Sequence, residues 1–372
     1  MLEHTRAALP LNEKQRVIPS AHEGRRTGRI AALDALRLLA ALFVVVYHYM
    51  ALGGGWPADG KAMFPRAFPF AAYGWLGVQL FFLISGFVIC MSCWDKPLRS
   101  FFISRVVRLY PAYWFAVIAT TVTVLLVPGG EKHLPWADVL TNLTMLQEPL
   151  GVPNVDEVYW TLFSELRFYL LFALVAWWGL TYRRLIVFCC VWATTSALLA
   201  GYEDGPLRLL VMPHDSWYFI AGVAFYLMYR FGPNLLLTGI VLTCFAACLP
   251  FAHVTWYNTR KYMGHIVPFW PVVLIIGLCF AVMALLAAGK LSWITWRWLP
   301  TAGALTYPLY LLHENIGREI FSALSRYVPA HALLVLTIGV MLLASWLVHR
   351  LVERPVGKLL KDGLGKAFSK AH

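Results

Sequence analysis

Residues Ile30 to Met50 read IAALDALRLLAALFVVVYHYM. This stretch decides the fold, because it is about as long as the roughly 20 apolar residues that a bilayer core requires of a helix. It nevertheless carries Asp34, Arg37 and His48. A charge near the centre of a span costs about 2.5–3.5 kcal/mol even on lenient scales, so each needs a reason to be there. At about 100° per residue, the steps from Arg37 to His48 turn a helix through three turns and roughly 20°. The two side chains therefore share a face, and Asp34 sits three residues before Arg37, within pairing distance. A rise of about 1.5 Å per residue separates the guanidinium from the imidazole by roughly 16 Å along the axis, about half the hydrocarbon thickness. One polar stripe links two depths of the membrane.

The rest of the composition agrees. Hydrophobic residues make up 60% of the chain and charged residues 13%, and the mean hydropathy is +0.65. Soluble domains sit nearer 45–50% and 25%. The expected fold is all-α: a polytopic membrane bundle of about ten transmembrane helices, with both termini cytoplasmic. After the first span, further spans are expected at 73–93, 110–128, 158–179, 184–201, 214–230, 234–251, 268–288, 300–317 and 332–350. Residues 1–29 read as a basic cytoplasmic tail, 30–355 as the membrane domain and 356–372 as a basic C-terminal tail. With this layout, 21 of the 31 Lys and Arg residues fall on segments assigned inside and 8 on segments assigned outside, which obeys the positive-inside rule. The net charge of +12 is thus mostly topological and argues against a nucleic-acid partner. The seven cysteines lie in or at the ends of apolar spans and form no disulfide framework, and no Cys/His spacing reads as a metal site.

Several polar residues inside or beside the spans carry candidate chemistry. His48 lies near the outer surface, and an imidazole with its ordinary pKa of about 6.5 suits it to take a proton from a hydroxyl at neutral pH. In WDKPLRSFFISRVVRLYPAYW, Arg105 and Arg108 are three apart and face the same way on a helix. They read either as an inside-facing anchor cluster or as a phosphate clamp, since Arg matches phosphate oxygens bidentately. Pro111 fits the start of the next span or a kink within it. Gly74, Gly77, Ser85 and Gly86 in the second span let backbones approach closely. In EVYWTLFSELRFYLLFALV, Glu165 sits near the expected depth of His48, either orienting an imidazole or serving a structural pair; Tyr159 and Trp160 open this helix. In GALTYPLYLLHENIG, Tyr310 and His313 reach the outer half, so Tyr159, Trp160, Tyr310 and His313 are candidates for an outer pocket. Acidic residues of the outer loop, among them Glu148, Asp156 and Glu157, are expected to be solvated, and Asp215 is expected to cap a helix at the interface. HRLVERPVGKLL reads as a basic amphipathic stub on the inner surface.

Together these residues resemble the acyltransferase 3 family of integral membrane acyltransferases. Arg37 and His48 match its Arg-ten residues-His signature, preceded by LDALR. FFLISGFVI is similar to its second span, Arg105 and Arg108 to its Arg-x-x-Arg motif, and YWTLFSELRFY to its Trp…Glu…Tyr segment with Glu165 as the acidic member. TYPLYLLH and VERP match its late segments. The resemblance implies an enzyme that moves an acyl group, usually acetyl, from cytoplasmic acyl-CoA to an acceptor at the outer face of the bacterial cytoplasmic (inner) membrane. Acceptors in the family are mostly saccharide hydroxyls on glycans or glycolipids, and in some relatives macrolides or lipid-linked oligosaccharides. It implies His48 as the catalytic histidine, with Glu165 helping to orient it. Asp34 and Arg37 would belong to a donor channel, and Arg105 and Arg108 would contact CoA phosphates. No bound cofactor or metal is implied; acyl-CoA is the donor substrate, and direct transfer and an acyl-His intermediate both remain open. The alternative reading is a transporter of a polar or lipid-linked substrate, since intramembrane Asp, Arg and His also mark ion and substrate paths.

Overall fold

A computed structural model describes residues 30–126, 135–202 and 205–370; the expected N-terminal tail, 1–29, lies outside them. Among the described residues there are helices and no strands. Ten long helices follow in order: α1 (Ala31–Val46), α2 (Gly77–Cys93), α3 (Leu98–Leu126), α4 (Trp160–Trp177), α5 (Tyr182–Leu199), α6 (Ser216–Phe231), α7 (Leu235–Met263), α8 (Trp270–Ala287), α9 (Leu299–Leu324) and α10 (Ala330–Val348). An eleventh, α11 (Arg354–Lys370), closes the chain.

Among the described residues, eight helical segments are long and apolar enough to cross a membrane. Of the ten long helices, α6 and α9 fall outside that set. α6 has only 16 residues, and α9 carries Glu314, Arg318 and Glu319 near its end. Even so, α6 is buried over most of its length, from Ser216 to Leu227. It packs on α2, α7, α5 and α8. Its crossing with α2 is backbone against backbone: a Cβ on Gly86 would stand 2.2 Å from the Phe219 carbonyl oxygen, and one on Gly222 2.2 Å from that of Leu83. Small residues at such a crossing let van der Waals contact hold two helices in lipid, where no hydrophobic driving force acts between them. Lipid-facing side chains cover the outside of the bundle, among them Leu39, Ile118, Leu235, Leu274 and Val335, all exposed.

Two boundaries differ from expectation. The segment 94–109, left between two expected spans, is helical from Leu98, and α3 runs through Pro111 without a break. Arg105 and Arg108 therefore stand on a fixed helix face. The C-terminal stub is the helix α11, which packs on α3 and places Arg354 at a cavity described below.

Two π-helical segments interrupt the regular pattern, Tyr47–Ala51 at the end of α1 and His349–Glu353 between α10 and α11. Such one-turn wide segments shift side chains out of the α-helical register and recur at functional sites. Here one carries His48 and the other carries His349 and Glu353.

Candidate functional site

α1 and α9 pack side by side, and the π-helical turn after α1 meets the middle of α9, bringing two histidines together. His48 Nδ1 lies 2.8 Å from His313 Nε2. The other nitrogen of His313, Nδ1, is 2.8 Å from the carbonyl oxygen of Tyr310. A carbonyl only accepts, so His313 Nδ1 carries the hydrogen. In the neutral ring His313 Nε2 is then an acceptor, and His48 Nδ1–H donates to it. The network thus assigns the tautomer of His48 and leaves the lone pair on Nε2. Tyr49, next to His48, donates its hydroxyl to the His313 carbonyl at 2.7 Å, which fixes the backbone of one histidine against the helix of the other.

His48 opens on a cavity of about 700 Å³. Aromatic side chains line it, Tyr47, Trp75, Trp160, Tyr262 and Tyr310, together with Gln79, Glu157, Asp215, Glu314 and Arg318. That size and mixture fit an organic molecule of a few rings: apolar faces for stacking and a few polar groups for orientation. Tyr310 stands at its floor, donating to the Val158 carbonyl at 3.2 Å with Thr161 Oγ1 at 2.9 Å.

Below Val78 and Tyr310 lies a narrow waist of about 70 Å³, lined by Arg37, Phe81, Ser85, Arg108, Glu165 and Tyr307 among others. Glu165 accepts hydrogen bonds from Tyr169 and, at 3.4 Å, from Ser85. Arg37, Arg108 and Tyr307 are shared in turn with a third cavity of about 530 Å³. That one collects Lys96, Arg354 and His349 around Asp34, Arg37 and Arg108. Arg37 lies 3.9 Å from Asp34. The three spaces lie in series, a basic cavity, a waist and the histidine cavity, each sharing wall residues with the next.

The expected site residues are distributed along this path. His48, Trp160 and Tyr310 line the histidine cavity, and His313, fully buried, joins it only through its contact with the His48 ring. Arg37, Arg108 and Glu165 meet at the waist, and Asp34 joins the two arginines in the basic cavity. Two stand aside. Arg105 reaches back to Ser92 Oγ at 3.1 Å and lies over the Phe101 and Tyr169 rings, touching the basic cavity only through Ser92. Tyr159 is fully buried with its ring on Tyr113. The group bonded to the His48 ring is His313 rather than Glu165, which belongs to the waist.

Two expectations about the loops are overturned. Asp156 is not solvated: it is fully buried, accepting from the amides of Val158 at 3.2 Å and Asn315 at 3.1 Å. Burial pushes its carboxyl above the ordinary value, and the neighbouring Glu314 adds to the shift. The Asp215 side chain does not cap its helix. It turns to the histidine cavity, with Ser164 Oγ 3.4 Å away. Glu314 and Arg318, paired at 3.1 Å, were not singled out by the sequence. The only signal is their i, i+4 spacing just after His313.

Comparison with known proteins follows the same lines. The profile of the acyltransferase 3 family, described as an acyltransferase domain, matches residues 30–350. A provisionally named peptidoglycan O-acetyltransferase of Bacillus subtilis is 24% identical, over 90% of this chain and 56% of its own length. The chain thus spans little more than half of that relative. Acyltransferase MdmB of Streptomyces mycarofaciens is 26% identical over 90% of this chain and 93% of its own length. The peptidoglycan O-acetyltransferase OatA of Listeria monocytogenes is 26% identical over 38% of this chain and 23% of its own length. The transport reading finds no support among these relatives. No solved structure matches the chain.

Proposed function

The chain belongs to the acyltransferase 3 family and is a membrane acyltransferase, and on that premise we propose that it carries an acyl group, acetyl in the simplest case, from acyl-CoA to a saccharide hydroxyl across the bilayer. The observation that carries this reading is the series of cavities joining Arg108 to His48. α6 and α9 complete a ten-helix bundle with both termini cytoplasmic; at about 1.5 Å per residue the 16 residues of α6 reach roughly 24 Å. The lysine and arginine bias supports a cytoplasmic side for the basic cavity and, with it, the outer side of a bacterial inner membrane for the histidine cavity.

In this reading the CoA phosphates rest against Lys96, Arg108 and Arg354, where guanidinium groups offer paired donors to phosphate oxygens. Arg105 serves from behind, holding Ser92. The pantetheine arm threads the waist past Arg37 and Glu165 and delivers the thioester to His48. An acceptor hydroxyl enters from the outer side, among Trp75, Trp160 and Tyr262, whose rings suit the apolar faces of a sugar. His48 Nε2 removes the hydroxyl proton as its oxygen attacks the acyl carbon. His313 holds the ring in the tautomer that permits this. The thiolate of CoA leaves with the proton from His48. The names of the Bacillus and Listeria relatives support a cell-wall glycan as acceptor.

The test is mass spectrometry of surface glycans from cells with and without the protein, alongside acetyl-CoA consumption by the purified chain in nanodiscs. An ester on the glycan that depends on the protein and on His48 is the expected result. Unchanged glycans and no CoA release would set the reading aside.

A further inference from the structure

One polar side chain in the histidine cavity has no part in the transfer scheme above. Gln79 sits in GVQLFFLISGFVI, a stretch of α2 whose only other polar side chain is Ser85. It is only 7% exposed and lines the same cavity as His48. Its Oε1 is buried without a partner, and among the described residues its carboxamide makes no hydrogen bond at either end. Buried polar groups in folded proteins are almost always paired, so an unpaired one lining the same cavity as His48 asks for a ligand.

Its position is built in. A Cβ on Gly77 would stand 2.4 Å from the Ala40 carbonyl oxygen, and one on Gly74 2.1 Å from that of Phe43 and 2.7 Å from Tyr47 Cβ. The start of α2 therefore lies directly on the α1 backbone, in the turns that lead to His48. Gln79 follows two residues after this contact. Several other donors around the cavity are engaged: Arg318 Nη2 with Glu314, Tyr310 with Val158, and Thr255 with the Phe251 carbonyl. The anionic groups there, Glu157, Asp215 and Glu314, would repel developing negative charge.

We propose that the Gln79 carboxamide donates the hydrogen bond that stabilises the acyl oxygen during transfer. The inference rests on the acyl-CoA reading above. As the acceptor oxygen bonds to the acyl carbon, the carbonyl π electrons move onto oxygen, and the Gln79 N–H receives that charge. His48 holds the acceptor's proton. When the C=O bond re-forms, the C–S bond breaks and the thiolate takes the proton from His48. A preorganised donor in a water-poor site acts on the transition state and hardly on substrate binding.

The experiment uses the full chain in nanodiscs, with acetyl-CoA as donor and soluble muropeptides as acceptor, following CoA thiol release. For Gln79→Met, which keeps length and loses the donor, kcat falls roughly 100-fold, as for removal of one oxyanion donor. Both KM values stay within about threefold of wild type, and the thermal midpoint is unchanged. Gln79→Asn recovers part of the rate. If Gln79→Met fails to fold, Gln79→Glu provides the same comparison at nearly the same shape. Turnover within threefold of wild type overturns the inference, as does a loss confined to the KM for muropeptide. A wild-type enzyme that releases no CoA overturns the donor reading instead, and the inference with it.

Discussion

His48 Nδ1 and His313 Nε2 share a 2.8 Å contact between rings that are 265 residues apart in the chain. It joins the π-helical end of α1 to the middle of α9 and decides which nitrogen of His48 is free to accept a proton.

Replacing either histidine separates their roles. His48→Ala is expected to lower acetyl transfer by at least about 1,000-fold, within the range typical of a general base. His313→Phe removes the acceptor for His48 Nδ1–H and is expected to cost roughly 10- to 100-fold. His313→Gln, whose amide oxygen accepts, restores part of the loss. CoA release under saturating donor checks the order. Equal loss in all three variants would point to a structural role for the pair.

The basic cavity is expected to govern donor affinity. Arg108→Ala and Arg354→Ala each raise the KM for acetyl-CoA about tenfold, a loss of roughly 1.4 kcal/mol, while dephospho-CoA derivatives show a smaller difference. Initial rates across donor concentrations measure this. A pure kcat effect would contradict it.

The waist offers a sharper test, since it is narrow and lined by small Ser85. Ser85→Phe is expected to close it, abolishing transfer while CoA still binds at the basic cavity. Isothermal calorimetry with CoA measures the second half of that expectation. Undiminished transfer in this variant would break the proposed route.

At the crossing of α2 with α6, Gly222→Leu has no room for its side chain. Overpacking of this kind costs about 1–3 kcal/mol or more. The thermal midpoint in detergent should fall clearly, with loss of activity following loss of fold.

The loop above the histidine cavity carries a pH-sensitive tie. Asp59 accepts from the amides of Lys61 and Ala62 and lies 2.8 Å from His265 Nε2. The His265 contact, then the amides, holds its carboxyl below the ordinary 3.8. A depressed carboxylate stabilises the fold above its unfolded value and loses that contribution as pH falls through the folded one. Hydrogen exchange in residues 52–67 should therefore rise on acidification below about pH 4, and less steeply in Asp59→Ala.

Much of this was legible in the chain. Apolar runs locate the helices because lipid demands uninterrupted hydrophobic length. Residues that act through distant partners were harder to read. Gln79 looks like an isolated polar residue in a packing helix, and Glu314 and Asp156 look like loop-end acids. Only tertiary contact brings Asn315 to Asp156, or turns His313 toward His48. The extension of α3 through Pro111 was hidden because basic residues near a membrane edge also suit a loop.

The proposed transfer requires that one molecule of donor occupy all three spaces at once. A cryo-EM structure of the full chain with a non-hydrolysable thioether analogue of acetyl-CoA measures this directly. The expected density places the phosphates at Arg108 and Arg354, the pantetheine beside Arg37, and the acyl carbon within about 4 Å of His48, near contact distance for reacting groups. Density that stops short of the waist, or lies in another cavity, would contradict it.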